Sequence, residues 1–353
     1  SGINLIIGNM LGSIVQPGAK LNPFDELAPT LLKVTRNIST EIDLEWTVNS
    51  TNLDGSRIYR STDGVIYAEL ATVAGSTAKY TATGLTAGGL YYFKVVSYKG
   101  EIETGPTNVY DTRFKITVDT TKAGSASDTF ILQTLGSAYD AWVNWGDGSS
   151  LQNITGTPGG VSHTYAAAGT YQVAVYGTFN GIGHYTTTGD KEKIISIDNW
   201  GTIAWSNMSE TFYGCSNLTA NYIDFPNTSG CLNFNRTFTQ CYIFNGDVSG
   251  FDVSNSNAFR NTFNLCQAFK QSLETWDVSK GTDLTWILNA TDINKVGTTT
   301  NYDNTLIAWE KLDLIDGKNF SAGTAKYSAA GAAARAAIIA DDSWTITDGG
   351  LAV

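Results

Sequence analysis

The sequence predicts a mainly β, multidomain protein: two consecutive β-sandwiches, then a short α/β repeat solenoid closed by a helical cap. Three observations carry this. Alternating apolar segments of strand length, separated by polar turns, run through residues 28 to 198. An aromatic and cysteine pattern then recurs every 25 or 26 residues, and two segments of helical periodicity close the chain. At 353 residues the chain is long enough for two to three domains of roughly 150 residues, each with its own core.

Residues 1–27 form a leader. Its apolar stretch, with Ile3, Leu5, Ile6 and Ile7, has no basic residue before it and no small-residue cleavage site after it, so it makes a poor signal peptide. Ser1 is read as the end left by removal of an initiator Met rather than by an upstream cleavage, because Ile3, Leu5 and Ile7 alternate as a short strand would. A Pro/Gly hinge from Gln16 to Ala19 follows, and a segment with no core of its own to join is expected to anchor on a partner protein.

Residues 28–112 contain IDLEWTV, SRIYRS, AELATV and YYFKVVSYKG, with Trp46 as the central tryptophan. Leu85 precedes Tyr91 by six residues just before a strand, and this resembles the tyrosine corner of fibronectin type III domains. The resemblance implies a Pro where Ala87 stands, so the turn is less stiff here. In residues 113–198, FKITVD and FILQT are followed by WVNWGDGSS and HTYAAAGTYQVAVYGTF, which together resemble a PKD-type domain. A catalytic pair of Asp147 and His163, or Asp147 as a calcium ligand, stands against what the resemblance implies, that both belong to a turn and the sandwich edge. Neither sandwich gathers titratable residues, and both read as spacers.

In residues 199–300, Cys215, Cys241 and Cys266 are spaced 26 and 25 apart, which marks a repeat rather than a zinc site or a disulfide framework. Met208, Phe234, Phe259 and Leu284 lie seven residues before Cys215, Cys241, Cys266 and Thr291, and Phe212, Phe238, Phe263 and Leu288 lie three before. That spacing predicts a helical turn or two per copy, and the segment around Trp200, Phe225, Phe251 and Trp276 predicts a strand. The Phe and Cys rows then form internal ladders. Tyr302, Leu306 and Trp309 predict one helix of a cap spanning 301–353, and Ala-rich 328–340 a second, capped by Ser328. The repeats, with MSETFYGCSNLT and ETWDVSKGTDLTWIL, resemble the BspA-like leucine-rich repeats of Bacteroidota and their phages, although the copy at Phe225 reads FPNTSG in place of aromatic-Asp-Val-Ser.

Composition bounds the function. Lys+Arg 22 against Asp+Glu 33 gives −11, a field that repels nucleic acid and argues against an anionic membrane surface. No run approaches the ~18 apolar residues that a membrane span needs. Charged residues are 16%, where about 25% is usual, so the surface is built from Ser, Thr, Asn and Gly, as suits exposure outside a cell. With only His163 and His184 present, no metal or cofactor is called for and a Ser/His/Asp triad has little to draw on.

Three function classes follow. The first is a phage virion protein exposed on the particle, attached to other virion proteins through its N-terminus and presenting the repeats to a host-surface glycan or protein. The second is a bacterial cell-surface adhesin whose leader has been removed. The third, a glycan-active enzyme, needs a pair of carboxylates about 5 to 9 Å apart, which no motif supplies. The first is preferred, with no enzymatic activity. Tyr213, Tyr222 and Tyr242 are the candidate rings for sugar stacking, set against a packing role. A homo-oligomer is compatible with this reading. The Asn-x-Ser/Thr triplets at Asn217, Asn235 and Asn289 carry no glycosylation meaning in a bacterial setting.

Overall fold

Period-two alternation builds the first unit. β2 (Glu41–Thr47) buries Ile42, Leu44 and Trp46 and turns Glu41, Asp43 and Glu45 outward. It lies between β1 (Thr30–Ile38) and β5 (Lys79–Ala82) in one sheet. The second sheet runs in the order β4 (Ala68–Ala74), β3 (Gly55–Ser61), β6 (Tyr92–Lys99), β7 (Ile102–Pro106), with β8 (Tyr110–Asp111) also on β6. Trp46 sits between the sheets as expected, its indole N–H donating to Ser56 Oγ at 3.2 Å. The tyrosine corner is formed too: Thr86 N–H donates to the Tyr91 hydroxyl at 3.0 Å.

The computed structural model describes residues 27–352 apart from 39, 87, 135–138, 157–158, 184–188 and 294–299. The expected anchor at Ile3, Leu5, Ile6 and Ile7 therefore lies outside the described residues, as do Ala87 and His184.

The second unit comprises β9 (Phe114–Asp119), β10 (Thr129–Gln133), β11 (Tyr139–Asn144), β12 (Gln152–Gly156), β13 (Gly160–Thr164), β14 (Thr170–Thr178) and β15 (Ile194–Asn199). β10 pairs with β13, and the large sheet runs β12-β11-β14-β9-β15 and onward to β16 (Thr219–Ala220) of the first coil. β15 is antiparallel to β9 and parallel to β16, so the expected 198/199 boundary falls inside a strand that serves both sides. One apolar core accordingly runs from Phe114 through the coils to Trp344, whereas the first unit has a separate one. The expectation of an independent core for each of the last two units is corrected by this shared strand.

Each coil carries a run of turns where a helix was expected. Paired left-handed residues recur four apart: Glu210 and Gly214, Arg236 and Gln240, Asn261 and Leu265, Trp286 and Ala290, all with φ between 54° and 74°. Such residues interrupt an α-helix. The N–H groups of Met208, Glu210, Phe212 and Gly214 donate instead to the carbonyls of Asn233, Asn235, Thr237 and Thr239 in the next coil, at 2.8–3.0 Å, and the next two coils repeat the pattern. Intervening N–H groups close turns within the coil, as from Thr211 to Met208 and from Cys215 to Phe212. The apolar spacing thus places one buried row per position without any helix.

The expected strand at Phe251 and Trp276 is also replaced. Asp252 and Asp277 accept from the N–H of Ser254 and Ser279 at 3.1 and 3.0 Å, so each Asp-Val-Ser closes an Asx turn and takes the donor a ladder would need. Outside the turn ribbon the parallel pairing between these coils is reduced to single bridges, such as Asn233 to Ala258 and Ala258 to Asp283. The cap has α1 (Thr300–Trp309), β17 (Asn319–Ser321), α2 (Ala329–Asp341) and β18 (Thr345–Thr347), with Ser328 capping α2 by accepting from Ala330 N–H at 3.1 Å.

Candidate functional site

The three candidate tyrosines occupy different places in the coil, and no ring contact joins any two of them among the described residues. Tyr213 is half-buried under the Lys191 ammonium, 5.5 Å from its ring centre. Tyr222 packs against Trp200, and its hydroxyl donates to the Asp247 carbonyl at 2.7 Å. It walls a cleft of about 350 Å³ between β1 and the coils, lined also by Val34, Ile223, Asp224 and Phe225. Tyr242 is the exposed one, beside Ile243, which is 51% exposed. Each Tyr differs in its offset from the ladder cysteine, so the stack does not bring the three onto one face.

The cysteine row is internal. Cys215, Cys241 and Cys266 are fully buried free thiols. Cys241 donates to the Phe212 carbonyl at 3.0 Å and Cys266 to that of Phe238 at 2.8 Å, each one coil back. Burial pushes these thiols far up from their ordinary range, and Cys231 to about 11, which removes thiolate chemistry at neutral pH. Beside them Phe212, Phe238 and Phe263 stack with centres 5.6 Å apart and planes within 4°.

The triplet asparagines tie coils together: Asn217 donates to the Glu192 carbonyl, Asn235 accepts from Arg260 N–H, and Asn289 donates to Asn264, at 2.7–2.8 Å. The 25-residue period could have pointed to this, since each bond joins positions one period apart.

Asp147 lies in the turn expected from Gly146-Asp147-Gly148. His163 Nε2 is 2.8 Å from its Oδ2, and the imidazole stacks on Trp145 with centres 4.8 Å apart. Partial burial works to raise the Asp147 carboxyl, but hydrogen bonds from Ser149 and His163 outweigh it and hold the group down at about 2. Ser149 meets the aspartate rather than the imidazole, so the trio lacks the order of a nucleophile–base–carboxylate relay. Among the described residues no group of three or more His, Cys, Asp or Glu could hold a metal ion, and no helix is long and apolar enough to cross a membrane.

Among the buried polar groups that escaped sequence reasoning are Asp224 and Lys193. Asp224, fully buried, accepts from the N–H groups of Trp200 and Gly201 at 2.9 and 2.8 Å and from the Tyr110 hydroxyl at 2.9 Å. Burial raises its carboxyl to about 6, against those hydrogen bonds. It joins the first unit to the first coils, where Thr202 N–H also donates to the Thr112 carbonyl and Asn199 bridges the carbonyls of Asp111 and Arg113. A side chain on Gly201 would run into the Thr112–Arg113 backbone. The sandwiches read as spacers are therefore locked to the stack. The second group is Lys193, fully buried, whose ammonium donates to the carbonyls of Ser125, Ala126 and Thr129 at 2.7–3.1 Å. A lone Lys or Asp in a strand-rich sequence carries no signal of such a partner set.

With this geometry in view, residues 27–113 match the fibronectin type III domain, in agreement with the paired sheets and the tyrosine corner. Residues 184–301 match a family described as Mycoplasma protein of unknown function, DUF285, consistent with the BspA-like resemblance of the repeats. No curated protein matches the chain. Similar solved structures include a fibronectin-like protein from Clostridium thermocellum, 25% identical, covering 24% of this chain and 88% of its own, with a TM-score of 0.21. A two-domain fibronectin type III segment of chicken tenascin is 15% identical over 42% of this chain and 89% of its own, with a TM-score of 0.23. A fibronectin type III domain derived from the human KIAA0970 protein is 16% identical over 25% of this chain and 74% of its own, at 0.22. The strand pairing of the first unit, not these likenesses, defines its sheets. The two family matches together suggest a surface or adhesion-type protein.

Proposed function

We propose that the chain is a non-enzymatic adhesion protein displayed on a phage particle, as a fibre, decoration or adhesin, holding its coils out for contact with a host surface. In this reading the second unit is PKD-like and the coils are a BspA-like leucine-rich-repeat solenoid. The N-terminal segment attaches to other virion proteins, and the ligand is a host glycan or protein. The observation that carries the reading is the locking of a fibronectin type III domain onto a polar repeat stack whose reactive groups are withdrawn: its thiols are buried and its asparagines are engaged between coils. Such a stack offers shape and hydrogen-bonding groups rather than chemistry.

A second reading, a bacterial cell-surface adhesin, is favoured by the Mycoplasma name of the family that the repeats match. Proteomics of purified particles against washed cells of the source separates the two. Enrichment in particles supports the virion reading, and enrichment in cell envelopes without particles supports the second.

A further inference from the structure

The outward face of the large sheet of the second unit has a composition that the core does not require. On β11 the inward residues Tyr139, Ala141 and Val143 are buried, while Trp142 points away and is 40% exposed. Its direct cross-strand neighbours are Asn153 on β12 and Tyr176 on β14. Directly opposed residues of an antiparallel pair share a face, so an indole, a phenol and an amide stand side by side. The next row on the same face is Thr155, Asp140 and Thr178.

On this face Asn153 Nδ2 donates weakly to Asp140 Oδ1 and to the Ala141 carbonyl, at 3.4 and 3.3 Å, which leaves its Oδ1 and the Asp140 carboxylate to face a ligand. Lys115 pairs with Asp111 at 2.5 Å, and Asp198 accepts from Thr117 and Gln172 at 2.5 and 3.0 Å. β12 is the edge strand of the sheet.

We propose that this face, centred on Trp142, is a binding site for a neutral glycan. A pyranose ring presents an apolar face that lies flat on an indole, while its equatorial hydroxyls reach the flanking amide, carboxylate and hydroxyl groups. A protein partner fits less well, because stable interfaces bury on the order of 1,000 Å² or more around an apolar centre, and among the described residues Trp142, Tyr176 and Leu151 supply a small apolar area here. A polyanion is disfavoured by the net charge of −11 and the engaged Lys115. The inference rests on the adhesion reading for its ligand class, but places the contact on the second unit instead of the coils.

The test runs the intact chain through native gels containing a soluble neutral β-glucan, an α-mannan or a chitooligosaccharide, with an anionic polysaccharide as control. One of the neutral sugars should retard the wild type. Trp142→Ala should weaken that binding by about tenfold or more, as loss of a central aromatic contact does, while Trp142→Phe keeps part of it. Tyr242→Ala should bind as the wild type does. Equal binding by Trp142→Ala and wild type overturns the inference. If binding is instead lost in Tyr242→Ala, the coil reading stands and this one falls; if the wild type binds no neutral sugar, this inference falls while a host-protein ligand for the coils stands.

Discussion

The thiol of Cys241 is a useful probe because its environment is dry but not unpartnered. A serine there would donate to the same Phe212 carbonyl, so Cys241→Ser should cost about 1 kcal/mol, the low end of what a buried hydroxyl without an acceptor would cost. Denaturant midpoints of the two proteins check this, and dithiothreitol should leave the wild type unchanged because the thiols are free. Lys193 should be far less tolerant. Lys193→Met would strand three buried carbonyls and leave the Asp190 carboxylate without its neighbouring cation, for a loss of about 3 kcal/mol or more in the same measurement. Neither residue announces this in the sequence. The cysteine row is legible as a period, but the carbonyl each thiol finds depends on the stacking offset, and the lysine's cage comes from a loop more than 60 residues away.

At the scale of elements, the alternating strands were readable because their side-chain period is tied to a buried face; β2 and β11 follow it throughout. The caps were readable for a similar reason, since Ser328 before an Ala-rich run is a local signal. The turn ribbon was not. Spacing of four and three fits an α-helix equally well, and the left-handed positions that exclude one are occupied by Arg236, Gln240, Leu265 and Trp286 rather than by Gly, the residue that marks such backbone. Gly214 is the exception, and it shows what the position prefers. A left-handed conformation costs a non-glycine residue roughly 1–2 kcal/mol, while glycine costs about 0.5–1 kcal/mol more in unfolded-chain entropy. Gln240→Gly should thus stabilise the protein by about 0.5–1 kcal/mol, read as a raised denaturant midpoint. A helix at that position would make the same change destabilising.

For the whole molecule, the shared strand β15 and the continuous core from Phe114 to Trp344 predict that the second unit, coils and cap unfold together, as one calorimetric transition. A fragment beginning at residue 199 omits the strand to which the first coil is paired and should not fold on its own. Asp224 also sets a pH dependence. Its folded value of about 6 lies above the roughly 3.9 of an unfolded aspartate, so the folded state binds the extra proton. Stability should rise as pH falls from about 7 towards 4, and Asp224→Asn should abolish that rise in the thermal midpoint. Asp147, held at about 2, works in the opposite sense, with stability lost as pH falls from about 4 towards 2. None of this long-range joinery was visible in the sequence, because Tyr110 and Asp224 stand 114 residues apart with no pattern linking them.

In the proposed function a polar, acidic molecule with withdrawn chemistry works by contact with uncharged surface ligands. Arrays of sites gain around 10² to 10⁴ in avidity over one site, so contact that is weak in the monomer becomes strong in many copies. The most direct measurement displays the intact chain on beads and follows capture of glycan-bearing surfaces at low and high ionic strength. Capture by the beads should be far stronger than retention of the free monomer, with little change on adding salt, because few charged groups are available to screen. Beads that capture nothing, or capture that collapses with salt, would contradict it.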